Sequence, residues 1–190
     1  RPGDAFSRIH WPTTARRGQL HTKEFELDPV ADYWILLDME AAVHTGQLPE
    51  DDEAPSLLGS GRPAGWEELP PTSEEYAVCA AASLARHFLN AGRSVGLISH
   101  AQRRVLVQPD RGERQALKLL GQLAVLRALG RAALSEVLSA EGAALTRHSS
   151  LVVITPSTST RWLAALRELR LRGVGSMAVL VEPNSFGPGG

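Results

Sequence analysis

The sequence predicts an open α/β fold: a doubly wound, mostly parallel sheet with one antiparallel hairpin strand and an N-terminal extended arm. Three observations carry this. Short, mostly apolar runs at residues 33–38, 150–155 and 176–181 read as strands buried on both faces. Segments of helical period lie between the runs, which is the alternation of a parallel sheet. Two β-rich runs, 94–99 and 104–108, stand only a few residues apart and read as a hairpin. The chain has 190 residues and 43% apolar residues, room for one domain with a real core.

The elements follow in order. Residues 1–27 are polar and basic around Trp11 and Pro12 and form the arm. Residues 28–183 form the folded domain. Its first strand, Tyr-Trp-Ile-Leu-Leu-Asp at 33–38, ends in a carboxylate. Residues 44–71 have no period, five prolines and the acidic run 50–53, so they read as a long surface loop. Thr72-Ser-Glu-Glu75 fits a capping box, and Tyr76, Ala80, Leu84 and Phe88 follow on one helical face until Gly92 stops the helix. After the hairpin, Asp110-Arg-Gly-Glu113 repeats the capping pattern. Leu117, Leu120, Leu123 and Leu126 continue a helix toward Gly130, and a further helix spans 131–145. The strand at 150–155 exits through a Ser/Thr/Pro-rich loop. Ser159 or Thr160 then caps a helix with Trp162, Leu163, Leu166 and Leu169, which Gly173 ends. Residues 184–190 read as a flexible tail.

The formal net charge is −1, which excludes a strongly basic nucleic-acid binder. That total hides a partition: residues 1–23 carry +4, residues 24–75 carry −13 and residues 76–190 carry +8. One cysteine, Cys79, excludes an internal disulfide and reads as a small core residue. No apolar run reaches the ~18–20 residues of a membrane span. The six histidines show no metal-ligand spacing, and neither a P-loop nor a nucleophile elbow is present. The chain begins at Arg1, so a fragment or a processed chain is expected.

The most distinctive segment is the arm. It reads Arg1-Pro-Gly3-Asp4, then Arg8-Ile9-His10-Trp11, then Ala15-Arg16, Gly18, Leu20 and Lys23-Glu-Phe-Glu26. This pattern resembles the signature of the domain of unknown function 58 family: Pro-Gly-Asp, Arg-X-Ile-X-Trp, Ala-Arg and Lys-Glu-Phe-Glu. The resemblance implies a von Willebrand factor A-like, Rossmann-like domain. It also implies a parent chain with membrane-spanning helices upstream, this segment lying on the cytoplasmic face at the cell envelope. Members of that family look like adaptors that partner MoxR-type AAA+ ATPases, not enzymes. On the residues alone, Arg8 and Arg16 can pair with Asp4, Glu24 or Glu26 and staple the arm to the sheet, with Trp11 beneath. Under the family reading, Gly3, Asp4, Arg8, Ile9, His10, Trp11, Ala15 and Arg16 form an interaction surface.

A second candidate site closes the first strand at Asp38-Met-Glu40-Ala-Ala42. A von Willebrand A domain places Asp-X-Ser-X-Ser there, with a Thr and an Asp from later loops, to hold a hard cation through oxygens. Here Glu40 and Ala42 take the Ser positions. No Thr lies around 127–133, and the loop at Thr155-Pro156-Ser157 lacks the Asp. The motif therefore reads as degenerate: no metal, no cofactor, and Asp38, Glu40 and Ser157 as a sheet-rim surface. Asp38-X-Glu40 also fits the carboxylate pair of dehalogenase-like phosphatases, but the companion Lys and acids are missing. The expectation is a non-enzymatic interaction domain with a protein partner, a MoxR-type ATPase, acting in protein assembly or maturation. The alternative is a metal-dependent hydrolase or ion-binding domain using Asp38 and Glu40, with magnesium as its ion.

Overall fold

A computed structural model describes residues 31–46 and 71–186. The signature arm 1–27, most of the acidic loop and residues 187–190 lie outside the described residues, so the arm readings rest on sequence.

Strand β1 (Asp32–Leu37) is the middle of a five-stranded sheet ordered β3-β2-β1-β4-β5. It pairs in parallel with β2 (Ser94–His100) on one side and β4 (Ser149–Thr155) on the other. β5 (Gly175–Leu180) adds to β4 in parallel, and β3 (Arg104–Asp110) folds back antiparallel on β2. The expected architecture holds: a mostly parallel sheet with one hairpin strand. Alternation along β1 sends its side chains to two cores. Tyr33, Ile35 and Leu37 join Val95, Leu97, Val152 and Ile154 on one face, while Trp34 and Leu36 join Ile98, Leu151 and Val153 on the other.

Helices cover both faces, which makes the sheet doubly wound. Helices α1 (Ser73–Asn90) and α2 (Gly112–Leu123) pack on the Ile35 face, and α3 (Leu134–Gly142) and α4 (Arg161–Leu171) on the Trp34 face. Thr72 caps α1 as expected, its hydroxyl accepting the Glu75 amide at 3.2 Å. The buried stripe is shifted by one residue from the expected face. Ala77, Ala81, Ala85 and Leu89 are buried, whereas Tyr76 is exposed and Leu84 and Phe88 only flank the core. The alanines win because their small side chains let the helix axis approach the sheet closely. The same shift occurs in α2, where Ala116, Leu119 and Leu123 are buried and Leu117 is exposed.

Several boundaries differ from expectation. The second capping box does not form: Asp110 accepts the adjacent Arg111 amide at 2.8 Å, and Gly112 turns the chain with φ +79°. Helix α2 stops at Leu123, and the chain reaches Gly130 without further helix, yet Leu126 stays fully buried. Helix α3 is shorter than expected. Residues Pro183–Phe186, in part assigned to a flexible tail, form a 3-10 turn, and Phe186 meets Tyr76 edge-on at 5.0 Å. Cys79 is only half-buried, so it lies at the margin of the core.

Two contacts fix the hairpin. Gln115 is buried and donates to the carbonyls of Val95 (2.7 Å) and Gln108 (2.9 Å), where the β2–β3 register shifts. Glu141, buried on α3, accepts two bonds from Arg104 (2.6 and 2.8 Å) and lies 2.7 Å from His100. Hydrogen bonds from Arg104, the largest cause, and from His100 hold its carboxyl at about 2, against desolvation.

Gly130 sits where no side chain fits. Its amide donates to the Met39 carbonyl (2.9 Å) and its carbonyl accepts from Ala41 (2.9 Å), and a Cβ would run into the carbonyl oxygens of His100 and Met39. Gly130→Ala is expected to cost about 1–3 kcal/mol, the range of an overpacked site, in urea unfolding. The Glu141 contribution should be complete above the ordinary glutamate value of 4.5 and lost as pH falls toward about 2. A stability–pH curve of Glu141→Gln should therefore lie below the parent above pH 4.5 and converge with it in stronger acid.

Candidate functional site at the sheet rim

The chain leaves β1 for β2 on one side, and β4 lies on the other, so the strand order reverses at β1. The carboxyl ends of β1 and β4 therefore flank the crevice where α/β sheets bind ligands. Asp38, the first residue past β1, and Thr155, the last of β4, meet there. The Thr155 hydroxyl donates to Asp38 Oδ2 at 2.6 Å, and the Glu40 amide donates to Asp38 Oδ1 at 3.1 Å. The Ser157 amide in turn donates to Thr155 Oγ1 at 2.9 Å. Asp38, Thr155 and Ser157 are all buried. Desolvation pushes the Asp38 carboxyl above its usual range, against the lowering effect of the Thr155 and Glu40 bonds and of nearby His44.

Glu40 is half-buried and turns toward helix α3. Its carboxyl is raised by desolvation first and then by the charges of Asp38 and Glu136, while a bond from the Leu134 amide opposes this. Leu134 is the first residue of α3, so the Glu40 carboxyl lies toward the start of that helix. The neighbouring helical position Ala133 supplies no side-chain cap of its own.

His44 was passed over in the sequence because it has no ligand-spaced partner. In the structure its Nε2 lies 2.9 Å from the Asp38 carbonyl and its Nδ1 3.1 Å from Ser73 Oγ. Ser73 Oγ also accepts the Thr45 amide at 2.8 Å. The carbonyl beside Nε2 requires a proton on that nitrogen. The histidine thus ties the end of β1 to the start of α1. The signal for it is tertiary: its partners lie 6 and 29 residues away.

The structure therefore brings Asp38, Glu40 and Ser157 to one rim, with Thr155 and His44 among them. A hard cation needs six or more oxygen ligands, most of them charged or freely directed. Here both Asp38 oxygens already accept protein donors, Glu40 faces the Leu134 amide and Ala42 offers no ligand. These residues do not fit such an ion. Among the described residues, no three His, Cys, Asp or Glu side chains form a metal-holding group.

The fold and the arm can now be set beside known proteins. Residues 1–54 match the family described as Protein of unknown function DUF58. The resemblance read from the arm is borne out. No curated protein matches the chain. Among solved structures, an aerotolerance-related membrane protein from Bacteroides fragilis is 15% identical, covering 79% of this chain and 67% of its own, with a TM-score of 0.51. Proximal thread matrix protein 1 of the mussel byssus is 12% identical over 80% of this chain and 38% of its own, with a TM-score of 0.49. The chain has a von Willebrand A-like, Rossmann-like fold. Among the described residues, no helix is long and apolar enough to cross a membrane.

Removing the Thr155 hydroxyl would leave a buried carboxylate without its shortest donor. Thr155→Val is expected to cost about 1–3 kcal/mol in denaturant unfolding, the range for a hydrogen bond to a charged group, and Thr155→Ser much less.

Proposed function

We propose that this is a non-enzymatic interaction domain whose docking surface is the carboxyl rim of the sheet. One observation carries the reading. The Asp38 carboxylate is engaged by the chain's own donors, while exposed apolar side chains stand on segments that border the rim. Asp38 is held by the Thr155 hydroxyl and the Glu40 amide, whereas Tyr76, Val125 and Leu129 are 45%, 53% and 63% exposed. Tyr76 stands in the first turn of α1, and Val125 and Leu129 in the segment leading to Gly130, which bridges Glu40. Exposed apolar side chains on two segments that the Arg127 pairs with Glu74 and Glu75 bring together fit a protein partner better than a solute.

The family resemblance supplies the partner: a MoxR-type AAA+ ATPase, engaged in assembly or maturation of other proteins. It also supplies the setting, a membrane-tethered parent with this domain on the cytoplasmic face. The domain uses no cofactor and no resident metal in this reading, and the rim acts through shape and apolar contact.

A pull-down of a MoxR-type AAA+ ATPase should succeed with the folded parent domain and fail with Val125→Glu/Leu129→Glu. Arg114→Glu, at the far end of α2, should behave like the parent. Equal capture by both variants would exclude the rim. Titration calorimetry with magnesium and manganese should show no stoichiometric binding, and one ion bound per chain and lost in Asp38→Ala would reverse the assignment.

A further inference from the structure

We infer that the cleft between α1 and the turn Pro183–Phe186 is a binding pocket for an organic cation of the guanidinium or alkylammonium class. It lies beside the rim and shares Tyr76 with it, but it does not rest on the rim reading.

Two separate parts of the chain build the pocket. Helix α1 supplies Tyr76 and Ala80, one turn apart on one face. The segment that follows β5 supplies Val181, Glu182, Ser185 and Phe186. Together they line a cavity of about 410 Å³, within the range of sites that hold small ligands. The short Ala80 side chain leaves the space that Tyr76 and Phe186 bound. Val181 packs against the core on the Ile35 face. The wall after β5 is fixed in two places. The Val181 amide donates to the Thr155 carbonyl at 3.0 Å, and the Pro183 carbonyl accepts the Thr45 hydroxyl at 3.1 Å.

The lining selects a cation. The Tyr76 and Phe186 rings meet with centroids 5.0 Å apart and planes at 62°, which makes an aromatic corner. The face of an aromatic ring attracts positive charge, more strongly where water is displaced. Glu182 adds a carboxylate to the same lining, held by the Asn184 side-chain amide at 2.8 Å. An anionic group, such as a lipid phosphate, would meet that carboxylate with like charge. An aliphatic chain would strip water from it and leave it unpaired. A guanidinium or alkylammonium answers both parts, its body against a ring and its charge toward Glu182. Such a cation comes either from an outside ligand or from the chain's own basic residues beyond the described ones, and the experiment separates the two.

The probe is Nα-acetyl-L-arginine amide, which carries a guanidinium and no other charge. It is titrated into the isotope-labelled chain beside its uncharged isostere, Nα-acetyl-L-citrulline amide. The backbone amide signals of Ala80, Glu182 and Phe186 should shift saturably with the arginine probe, and less so in high salt. The citrulline probe should bind about tenfold more weakly. Glu182→Gln and Phe186→Leu should each lose about fivefold in affinity, with unchanged thermal unfolding. Val125→Glu/Leu129→Glu should bind the probe like the parent, so loss of the rim reading leaves the pocket standing. Binding seen only after Arg62 and the five basic residues of the arm are changed to Gln would keep the cation pocket and assign its occupant to the chain itself. Equal binding of the two probes, or no saturable shift in either protein, would overturn the proposal.

Discussion

Everything in this molecule depends on a single strand being dry on both sides. β1 is paired along its whole length to β2 and β4, and its two faces feed two separate cores. A strand in that position has no solvent face between its ends, so carboxylates stand only at the ends: Asp32 at the exposed start and a second just past the last residue. That is where Asp38 stands. Its position is thus a consequence of sheet order, and its burial follows from the loops that β4 and α3 place over it. The hydroxyl of Thr155 meets it because parallel strands in register end at the same level.

The same constraint underlies the proposal that a motif resembling an ion site serves as scaffolding. In the metal-binding version of this geometry, short hydroxyl side chains leave the carboxylate free for a cation. Here Glu40 occupies one of those places, half-buried and directed toward the start of α3. Asp38 serves the β1–β4 junction, and its charge is met by one backbone amide and one hydroxyl. The remaining rim chemistry is apolar, with Tyr76, Val125 and Leu129 around it, which is why contact with a protein is the reading that uses what is left.

Much of the fold was legible in the sequence because strands and stops leave strong local marks. The run at 33–38 and the glycines at 92 and 173 needed no tertiary information. The helix faces were less legible. A stripe of Ala77, Ala81 and Ala85 carries little hydrophobic contrast, so the bulkier Tyr76–Phe88 stripe dominated the period even though close packing favoured the alanines. Asp38, Glu40 and Ser157 were readable as a rim group from their places at strand ends. His44, Gln115 and Glu141 were not, since each is defined by partners on other elements. The charge partition was visible at once, but only the structure shows that part of the positive excess on 76–190 is spent inside. Arg104 is tied to Glu141, and Arg172 to helix-end carbonyls.

The bond between Thr155 and Asp38 joins residues 117 positions apart in the chain. During synthesis at about 5–20 residues per second, β4 follows β1 out of the ribosome only after several seconds. Through that interval the most apolar strand of the protein has one open edge, and its terminal carboxylate lacks its hydroxyl. The β1–β2–β3 portion is contiguous in sequence and can pair early, leaving the β4 side of β1 as a sticky border. The nascent chain, more than the finished domain, is therefore the form in which this sequence most needs protection from association with its own copies.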